Sequence, residues 1–174
     1  MIPTTELDDS LQGRLPRVAI ASVRIMLGLL WMQGAGWKNP AGFGRSEGFF
    51  YDFVADGVTN EVFAPWAWIV DNLILPNWTV FAWSVLITEV ALGAFLLIGL
   101  ATRFWAVIGI AQSGAILLSV ANTPNEWGWS YWLMIGAHIA VWATAAGRWY
   151  GIDGVLRPSW ASGRRLGRWL RWLS

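Results

Sequence analysis

Four long apolar stretches divide the chain, and each is long enough to cross a membrane as a helix. They occupy residues 18–37, 77–100, 104–121 and 127–146. Only two charged side chains fall inside them, Arg24 in the first and Glu89 in the second. Because a bilayer core of roughly 30 Å needs about 20 apolar helical residues, the pattern predicts an all-α integral membrane protein, an antiparallel bundle of four transmembrane helices.

The segments between and after these stretches carry helical patterns of their own. In the first connection, "SEGFFYDFVADG" and "NEVFAPWAWIVDNLILP" have apolar faces and predict short interfacial or re-entrant helices on the outer side. The C-terminal "SWASGRRLGRWLRWLS" places Leu166, Trp169, Leu170 and Leu173 at helical spacing, which is typical of an amphipathic helix on a membrane surface. The alternative for this segment is a disordered basic tail. We therefore divide the chain into a membrane domain, 1–158, and a basic amphipathic helix, 159–174.

Basic residues concentrate on one side of the predicted bundle. They are Arg14, Arg17, Arg103, Arg148, Arg157, Arg164, Arg165, Arg168 and Arg171. The first connection instead holds five acids against Lys38 and Arg45, and the connection between the third and fourth stretches holds Glu126. Since cytoplasmic loops carry an excess of Lys and Arg, both termini are expected on the cytoplasmic side of the inner membrane.

The amino-acid composition limits the partners and the kinds of catalytic or metal site that this chain can have. The chain of 174 residues is 56% hydrophobic and 13% charged, with 15 Trp and a formal net charge of +1, so we expect membrane lipids and not nucleic acid as partners. It has no Cys and one His. Disulfides, thiolate catalysis and iron–sulfur ligation are thereby excluded, and no protein-ligated metal or haem is expected. We interpret the Trp residues near the outer ends of the stretches as an interfacial belt, with stacking on a quinone or pigment as the alternative.

Each apolar stretch contains one strongly polar side chain in its inner half. Counted at ~1.5 Å per residue from the cytoplasmic edge, Arg24 lies about 9 Å deep, Gln112 and His138 about 12 Å, and Glu89 about 16 Å. An unpaired charge at such depth costs at least ~2.5–3.5 kcal/mol. Arg24 and Glu89 are therefore expected to pair, directly or through His138, Gln112 or water.

Two interpretations of these groups remain open at this point. In the first, Glu89 and His138 form a proton-handling pair beside a pocket for a lipid-soluble ligand such as a quinone, because membrane acids and histidines are functional candidates. In the second, Arg24 and Glu89 form a structural ion pair that fixes helix register, and His138 makes an ordinary interhelical hydrogen bond. The arrangement of residues on the first helix is compatible with both interpretations, because its polar residues lie on one side. That side contains Arg24, Gly28, Trp31, Ala35 and Lys38.

Three motifs resemble one protein family. They are "RIMLGLLWMQGAGWK", "TEVALGAFLLIGLATR" and "AGRWYGIDGVLRP". They are similar to the DoxX/DoxD family of small four-helix membrane proteins, over residues 17–158. The motif positions are Arg24, Gly28, Gly34, Lys38, Glu89, Gly93, Gly99, Arg103, Gly147 and Asp153.

The resemblance implies a small integral subunit linked to quinone. The named activity of the family is that of the DoxD-type subunit of thiosulfate:quinone oxidoreductase, which passes electrons to membrane quinone together with a second subunit. We predict Glu89 and His138 as proton-handling residues. The predicted ligand-binding residues are Arg24, Lys38, Arg103, Gln112 and Tyr131.

Other functions fit the same sequence. The chain is alternatively a non-catalytic accessory subunit of a respiratory or photosynthetic complex, binding lipid or pigment and contacting other membrane-protein subunits through its outer loop and C-terminal helix. A small-molecule carrier is a weaker alternative, because the sequence shows no inverted repeat and no interrupted helix within a stretch.

Overall fold

The computed structural model describes residues 4–161 and 165–174, and within these residues the chain is helical with no strand. Its side chains are described at 13–160, 167 and 169–174. Four residues of the predicted C-terminal amphipathic pattern, Arg164, Arg165, Leu166 and Arg168, therefore have side chains outside the described part. The α-helices are α1 (Thr4–Gly36), α2 (Phe49–Thr59), α3 (Ala64–Ile69), α4 (Trp78–Ile98), α5 (Thr102–Val120), α6 (Gly128–Thr144), α7 (Ile152–Leu156) and α8 (Arg165–Leu173).

Three helical segments of the described chain are long and apolar enough to cross a membrane. They are Gly13–Gly36, Ala64–Ile98 and Thr102–Val120, so the membrane character predicted from the first three apolar stretches is confirmed. The second segment is longer than its predicted stretch because α3 continues through a π-helical turn, Val70–Ile74, and a 3₁₀ turn, Leu75–Asn77, into α4. The fourth predicted stretch forms α6, which has 17 residues.

The four long helices pack as two pairs. Helix α1 lies along α4, α5 lies along α6, and α6 also contacts α1. A Cβ atom built on Gly28 would lie 3.1 Å from the carbonyl oxygen of Gly93, so the absence of side chains at these two positions lets α1 and α4 approach closely. The core between the helices contains Leu27, Trp31, Leu92, Leu96, Ala106, Val141 and Ala146. The residues predicted to share one side of the first helix are all buried. They are Arg24, Gly28, Trp31, Ala35 and Lys38.

Helices α2 and α3 pack over one end of the bundle, which we call the loop end. The short helices predicted in the first connection are thus confirmed. They form a second core around Phe43, Val54, Val70, Trp78 and Ala82. The indole Nε1 of Trp66 on α3 donates a hydrogen bond to Ser119 Oγ on α5 at 2.9 Å, which fastens this cap to the bundle.

A network of buried polar groups closes the opposite end. The chain turns from α4 into α5 through Gly99, whose φ of +68° favours glycine. Asp153 is fully buried, and its two carboxylate oxygens accept hydrogen bonds from the backbone N–H groups of Ala101 and Thr102 at 2.8 and 2.9 Å. Its own N–H donates to Gly99 O at 2.9 Å. Asp153 thereby satisfies unpaired donors at the start of α5 and fixes α7 beneath the turn.

Candidate functional site

Glu89 forms a buried ion pair with Lys38. Lys38 follows the end of α1, and its Nζ lies 2.6 Å from Glu89 Oε2 on α4, with both side chains less than 5% exposed. The same ammonium donates a hydrogen bond to Gly34 O at 2.8 Å. A Cβ built on Gly34 would lie 3.8 Å from Glu89 Oε2, so the glycine leaves room for the carboxylate against α1. This pair links the end of α1 to the middle of α4.

The predicted pairing of Arg24 with Glu89 is wrong. Arg24 is fully buried, but its guanidinium donates to the carbonyl oxygens of Leu96 at 2.9 Å, Leu97 at 3.3 Å and Tyr150 at 3.1 Å. Leu96 and Leu97 belong to the last turn of α4, whose carbonyls lack helical partners, so Arg24 caps that helix. The proposed polar layer with one group from each helix does not form, because Arg24 lies at the opposite end of the bundle from Lys38.

The ion pair lies in the wall of a cavity of about 480 Å³ at the loop end. Helices α1, α2, α4, α5 and α6 all contribute to its wall, and α2 covers it with Phe49, Phe50, Phe53 and Val54. The aromatic side chains in the wall include Trp31, Trp37, Phe50, Phe53, Trp66 and Phe81. A largely apolar cavity with a few polar groups in its wall is the usual form of a small-molecule site.

Several polar side chains face this cavity, and three of them were predicted as site residues besides Glu89. Lys38, Gln112 and Tyr131 all contribute to the wall, with Gln112 approaching from α5 and Tyr131 from α6. Tyr131 Oη donates to Glu126 Oε2 at 3.1 Å. The structure therefore gathers four of the seven predicted residues, Glu89 included, around one cavity.

Aromatic rings surround the Lys38 ammonium. Its Nζ lies 4.3 Å from the centroid of the Trp37 ring and 5.1 Å from that of Phe50, distances at which a cation is attracted to a ring face. Burial lowers the pKa of Lys38, while the adjacent carboxylate of Glu89 opposes that shift. Glu89, the carbonyl oxygen of Gly34 and the two rings therefore stabilise the buried ammonium.

His138 lies next to the cavity wall but does not line the cavity. It is fully buried, with Nδ1 2.7 Å from Met134 O and Nε2 3.0 Å from Trp31 Nε1. A carbonyl oxygen accepts and an indole N–H donates, so the arrangement assigns the proton to Nδ1 and leaves Nε2 as the acceptor. Within the described residues no hydrogen bond joins His138 to Glu89. The proton-handling role of His138 stays a prediction.

Arg24 and Arg103 lie away from the cavity. Arg103 Nε donates to Trp142 O at 3.1 Å, near the C-terminal end of α6, and Arg24 caps α4 at the same end. Neither arginine contacts the cavity. Their predicted ligand-binding roles stay predictions. Among the described residues no three His, Asp or Glu side chains converge as a metal site would require.

Sequence reasoning missed the α2 cover of the cavity. The signal was present, since the apolar face of "FFYDFVAD" supplies Phe49, Phe50, Phe53 and Val54. That periodicity predicts an amphipathic helix but does not show what its apolar face covers. The indole hydrogen bond from Trp31 to His138 was also missed, because a tryptophan in an apolar helix gives no indication of its partner.

Comparison with known proteins identifies the family. The family described as "TQO small subunit DoxD" matches residues 52–169. The match begins in α2 and ends in α8, so it includes Glu89 and the α4–α5 turn. No curated protein and no solved structure gives a significant match. Since the family match covers more than half of the chain, the resemblance seen in the sequence motifs is confirmed, and the chain belongs to the DoxD family of membrane proteins.

Proposed function

We propose that this chain is the membrane subunit of a quinone-linked oxidoreductase of the TQO type, and that the cavity at the loop end binds the quinone ring. The observation that carries the proposal is the Lys38–Glu89 ion pair, which lies in the wall of an aromatic cavity. A buried ion pair is a weak source of stability. Its position beside a ligand-sized space favours a functional role.

The residues present fit a quinone. The ring is flat and apolar with a carbonyl acceptor at each of two opposite edges, and the cavity offers aromatic side chains together with donors from Lys38 and Gln112. Its volume, about 480 Å³, lies within the range of roughly 300–1,000 Å³ for small-molecule sites. Trp31, Trp37 and Phe50 supply faces for stacking.

A bound quinone would supply the chemistry of a carrier of two electrons and two protons. The chain's own residues position the ring and move protons. With a quinone bound, Lys38 would donate a hydrogen bond to a ring carbonyl, and the Glu89 carboxylate would take up and release a proton at the cavity wall. The apolar side chains of Phe50 and Phe53 on α2 reduce the access of water to the site, and a drier site strengthens the electrostatic interactions inside it.

The electron donor belongs to a second subunit. The sequence has no Cys and one His, and that His already uses both ring nitrogens in hydrogen bonds. The loop end offers an apolar surface for such a partner. Its exposed aromatic side chains include Phe63, which precedes α3, and Trp68 on α3.

The membrane arrangement is part of the proposal. We assign α6 as the fourth span, because its 17 residues reach about 26 Å at ~1.5 Å per residue and it packs along α5. With the basic residues on the cytoplasmic side, the loop end and the cavity face outward and both termini lie inside. The membrane is then the cytoplasmic membrane, with the cavity on the side opposite Arg148 and Arg157.

The test is a titration with a short-chain quinone. Because Trp31, Trp37 and Trp66 line the cavity, binding quenches their fluorescence in the detergent-purified chain. Lys38→Met weakens the binding, and Glu89→Gln abolishes quinone reduction by the assembled complex while assembly persists. Glu47→Gln is the control, since its side chain is 69% exposed and pairs with Arg45. Normal binding in Lys38→Met together with normal turnover in Glu89→Gln contradicts the proposal.

A second function is favoured by one further observation. Trp127, Trp129 and Trp132 are each more than half exposed beside the loop end, and an exposed aromatic surface of this kind also suits an accessory subunit packed within a larger complex. That function predicts a fixed set of larger subunits after purification in mild detergent, with no quenching by quinone. A lone chain that retains quinone favours the first function.

A further inference from the structure

Four arginines lie near enough to one another for their charges to interact, at the end of the bundle opposite the cavity, which we call the arginine end. They come from four different elements. Arg103 lies in the first turn of α5, Arg148 ends the 3₁₀ turn Ala146–Arg148, Arg157 follows α7, and Arg171 lies in the last turn of α8. Arg103, Arg148 and Arg157 are partly buried, and Arg171 is exposed.

Hydrogen bonds hold these elements together. Arg103 Nε donates to Trp142 O at 3.1 Å, which ties α5 to the end of α6. Arg157 Nη1 donates to Ser174 O at 3.2 Å, and Ser174 Oγ donates to Arg171 O at 3.2 Å. The loop after α7 therefore reaches the end of α8 that carries Arg171, and α8 also contacts α5.

The positive charge of this cluster is poorly compensated. Burial, followed by repulsion from neighbouring arginines, lowers the pKa of both Arg148 and Arg157. Among the described acidic side chains, Asp153 is the one whose charge acts on them, yet its oxygens already accept hydrogen bonds from Ala101 and Thr102. Neighbouring like charges destabilise one another and an opposite charge relieves this repulsion, so an anion from outside the chain would stabilise the cluster.

The surroundings of the cluster identify the kind of anion. Val155 on α7 is 78% exposed, and Trp169 and Trp172 on α8 are 66% and 59% exposed. These apolar side chains lie on the same two elements that bring Arg157 and Arg171 to the surface. A phosphate-bearing anion suits the arginines, because the guanidinium fork matches phosphate oxygens. The apolar neighbours favour an anion that also carries hydrocarbon.

We propose that Arg103, Arg148, Arg157 and Arg171 bind the phosphate headgroup of an anionic phospholipid, whose acyl chains pack against α7 and α8. The proposed site draws its arginines from four elements, and in this it differs from the general attraction of a basic helix to an anionic membrane surface. The site is independent of the quinone cavity, which lies at the loop end.

The experiment compares lipids on the delipidated full chain in mild detergent. Phosphatidylglycerol and phosphatidylcholine with the same acyl chains are added separately, and retained lipid is counted by native mass spectrometry. Phosphatidylglycerol is expected to be retained at least about fivefold more strongly, the effect of roughly one basic side chain at an anionic surface. Equal retention of the two lipids overturns the proposal. Inorganic phosphate is added as a competitor of phosphatidylglycerol. If phosphate at equal concentration displaces the lipid completely, the proposal is also overturned, because the site then binds a free anion and does not require the acyl chains.

Two variants test the residues. Arg171→Gln changes an exposed side chain and leaves the fold intact, and Arg148→Gln removes a partly buried charge at the centre of the cluster. Each is expected to weaken retention of phosphatidylglycerol about fivefold and to leave phosphatidylcholine unchanged. Arg45→Gln, which removes one exposed charge at the loop end, is the matched control. An unchanged Arg171→Gln protein, or an equal loss in Arg45→Gln, overturns the assignment.

Discussion

The indole N–H of Trp31 donates to the Nε2 atom of His138 at 3.0 Å, and this bond joins α1 to α6 across the core. Trp31 is 2% exposed, and its other side lines the cavity that contains Lys38 and Glu89. The imidazole also packs against Gly109 of α5, where a Cβ atom would overlap the His138 ring. A single side chain thus connects the cavity wall to the junction of three helices.

Trp31→Phe removes the donor and leaves the Nε2 atom of His138 buried without a partner. A lost interhelical hydrogen bond in a membrane protein costs about 0.6–2 kcal/mol, and we expect a loss of stability of this size. The measurement is unfolding in mixed detergent micelles, followed by helicity. Trp132→Phe is the control because Trp132 is 65% exposed. An equal effect of the two substitutions would show that the hydrogen bond contributes nothing.

Removing one member of the Lys38–Glu89 pair is expected to destabilise the chain more than removing both. Lys38→Met leaves the Glu89 carboxylate buried and unpaired, and breaking a buried pair in this way costs about 3–5 kcal/mol. Glu89→Gln costs less, because the amide oxygen still accepts from the ammonium. In the double variant the charge is gone from both sides, so its stability lies above that of Lys38→Met alone.

A double-mutant cycle on the free energy of unfolding measures this coupling. The exposed pair Arg45–Glu47, with an N–O distance of 3.6 Å and side chains 74% and 69% exposed, is the comparison, and exposed pairs of this kind couple by about 0–1 kcal/mol. If the two cycles give the same coupling energy, the Lys38–Glu89 pair does not behave as a buried pair.

The helices followed directly from the sequence. Apolar length and periodicity are properties of a local segment, and they placed α4, α5 and α6 within about two residues of their observed bounds. Two elements extend beyond their predicted stretches. Helix α1 begins at Thr4, well before its predicted start at residue 18, and the second segment stays helical from Ala64 through Ile98 although Pro76 lies between α3 and α4. The proline sits in the 3₁₀ turn Leu75–Asn77, where a missing N–H costs little.

The partner of Glu89 was harder to predict, because it depends on how α1 and α4 are aligned. Depth counted from the ends of the predicted stretches placed Arg24 and Glu89 in one layer. The structure crosses the two helices at Gly28 and Gly93. Arg24 therefore lies beside Leu97 at the end of α4, whereas Glu89 lies beside Gly34 and Lys38 at the end of α1. The two glycines were visible in the sequence, and aligning the helices on them would have separated Arg24 from Glu89 and placed Glu89 nearer to the end of α1 that leads to Lys38.

Arg24→Met is expected to loosen the end of α4. The guanidinium donates to Leu96 O, Leu97 O and Tyr150 O, and hydrogen bonds to a charged group contribute about 1.5–3 kcal/mol each at most. For the three bonds together we expect the free energy of unfolding to fall by about 1.5–3 kcal/mol. We also expect faster amide exchange in the α4–α5 turn. Hydrogen exchange resolved by residue checks the location of the effect. Arg14→Met, at an exposed position, controls for loss of charge, and a uniform change along the chain would contradict a capping role.

Asp153→Asn tests the same end of the bundle from the other side. The carboxylate accepts from two backbone N–H groups, Ala101 through Oδ1 and Thr102 through Oδ2. An asparagine has one acceptor oxygen, and its NH₂ group would face the second N–H, so one buried donor loses its partner at a cost of about 1–3 kcal/mol. Stability is therefore expected to fall although the side chain keeps its size.

The free energy of unfolding of Asp153→Asn is compared with that of Asp71→Asn, which changes an exposed acid. Because the proposed quinone site lies in the cavity at the other end, quinone affinity is expected to stay unchanged in Asp153→Asn, and a parallel loss of affinity would show that the two ends of the bundle are coupled.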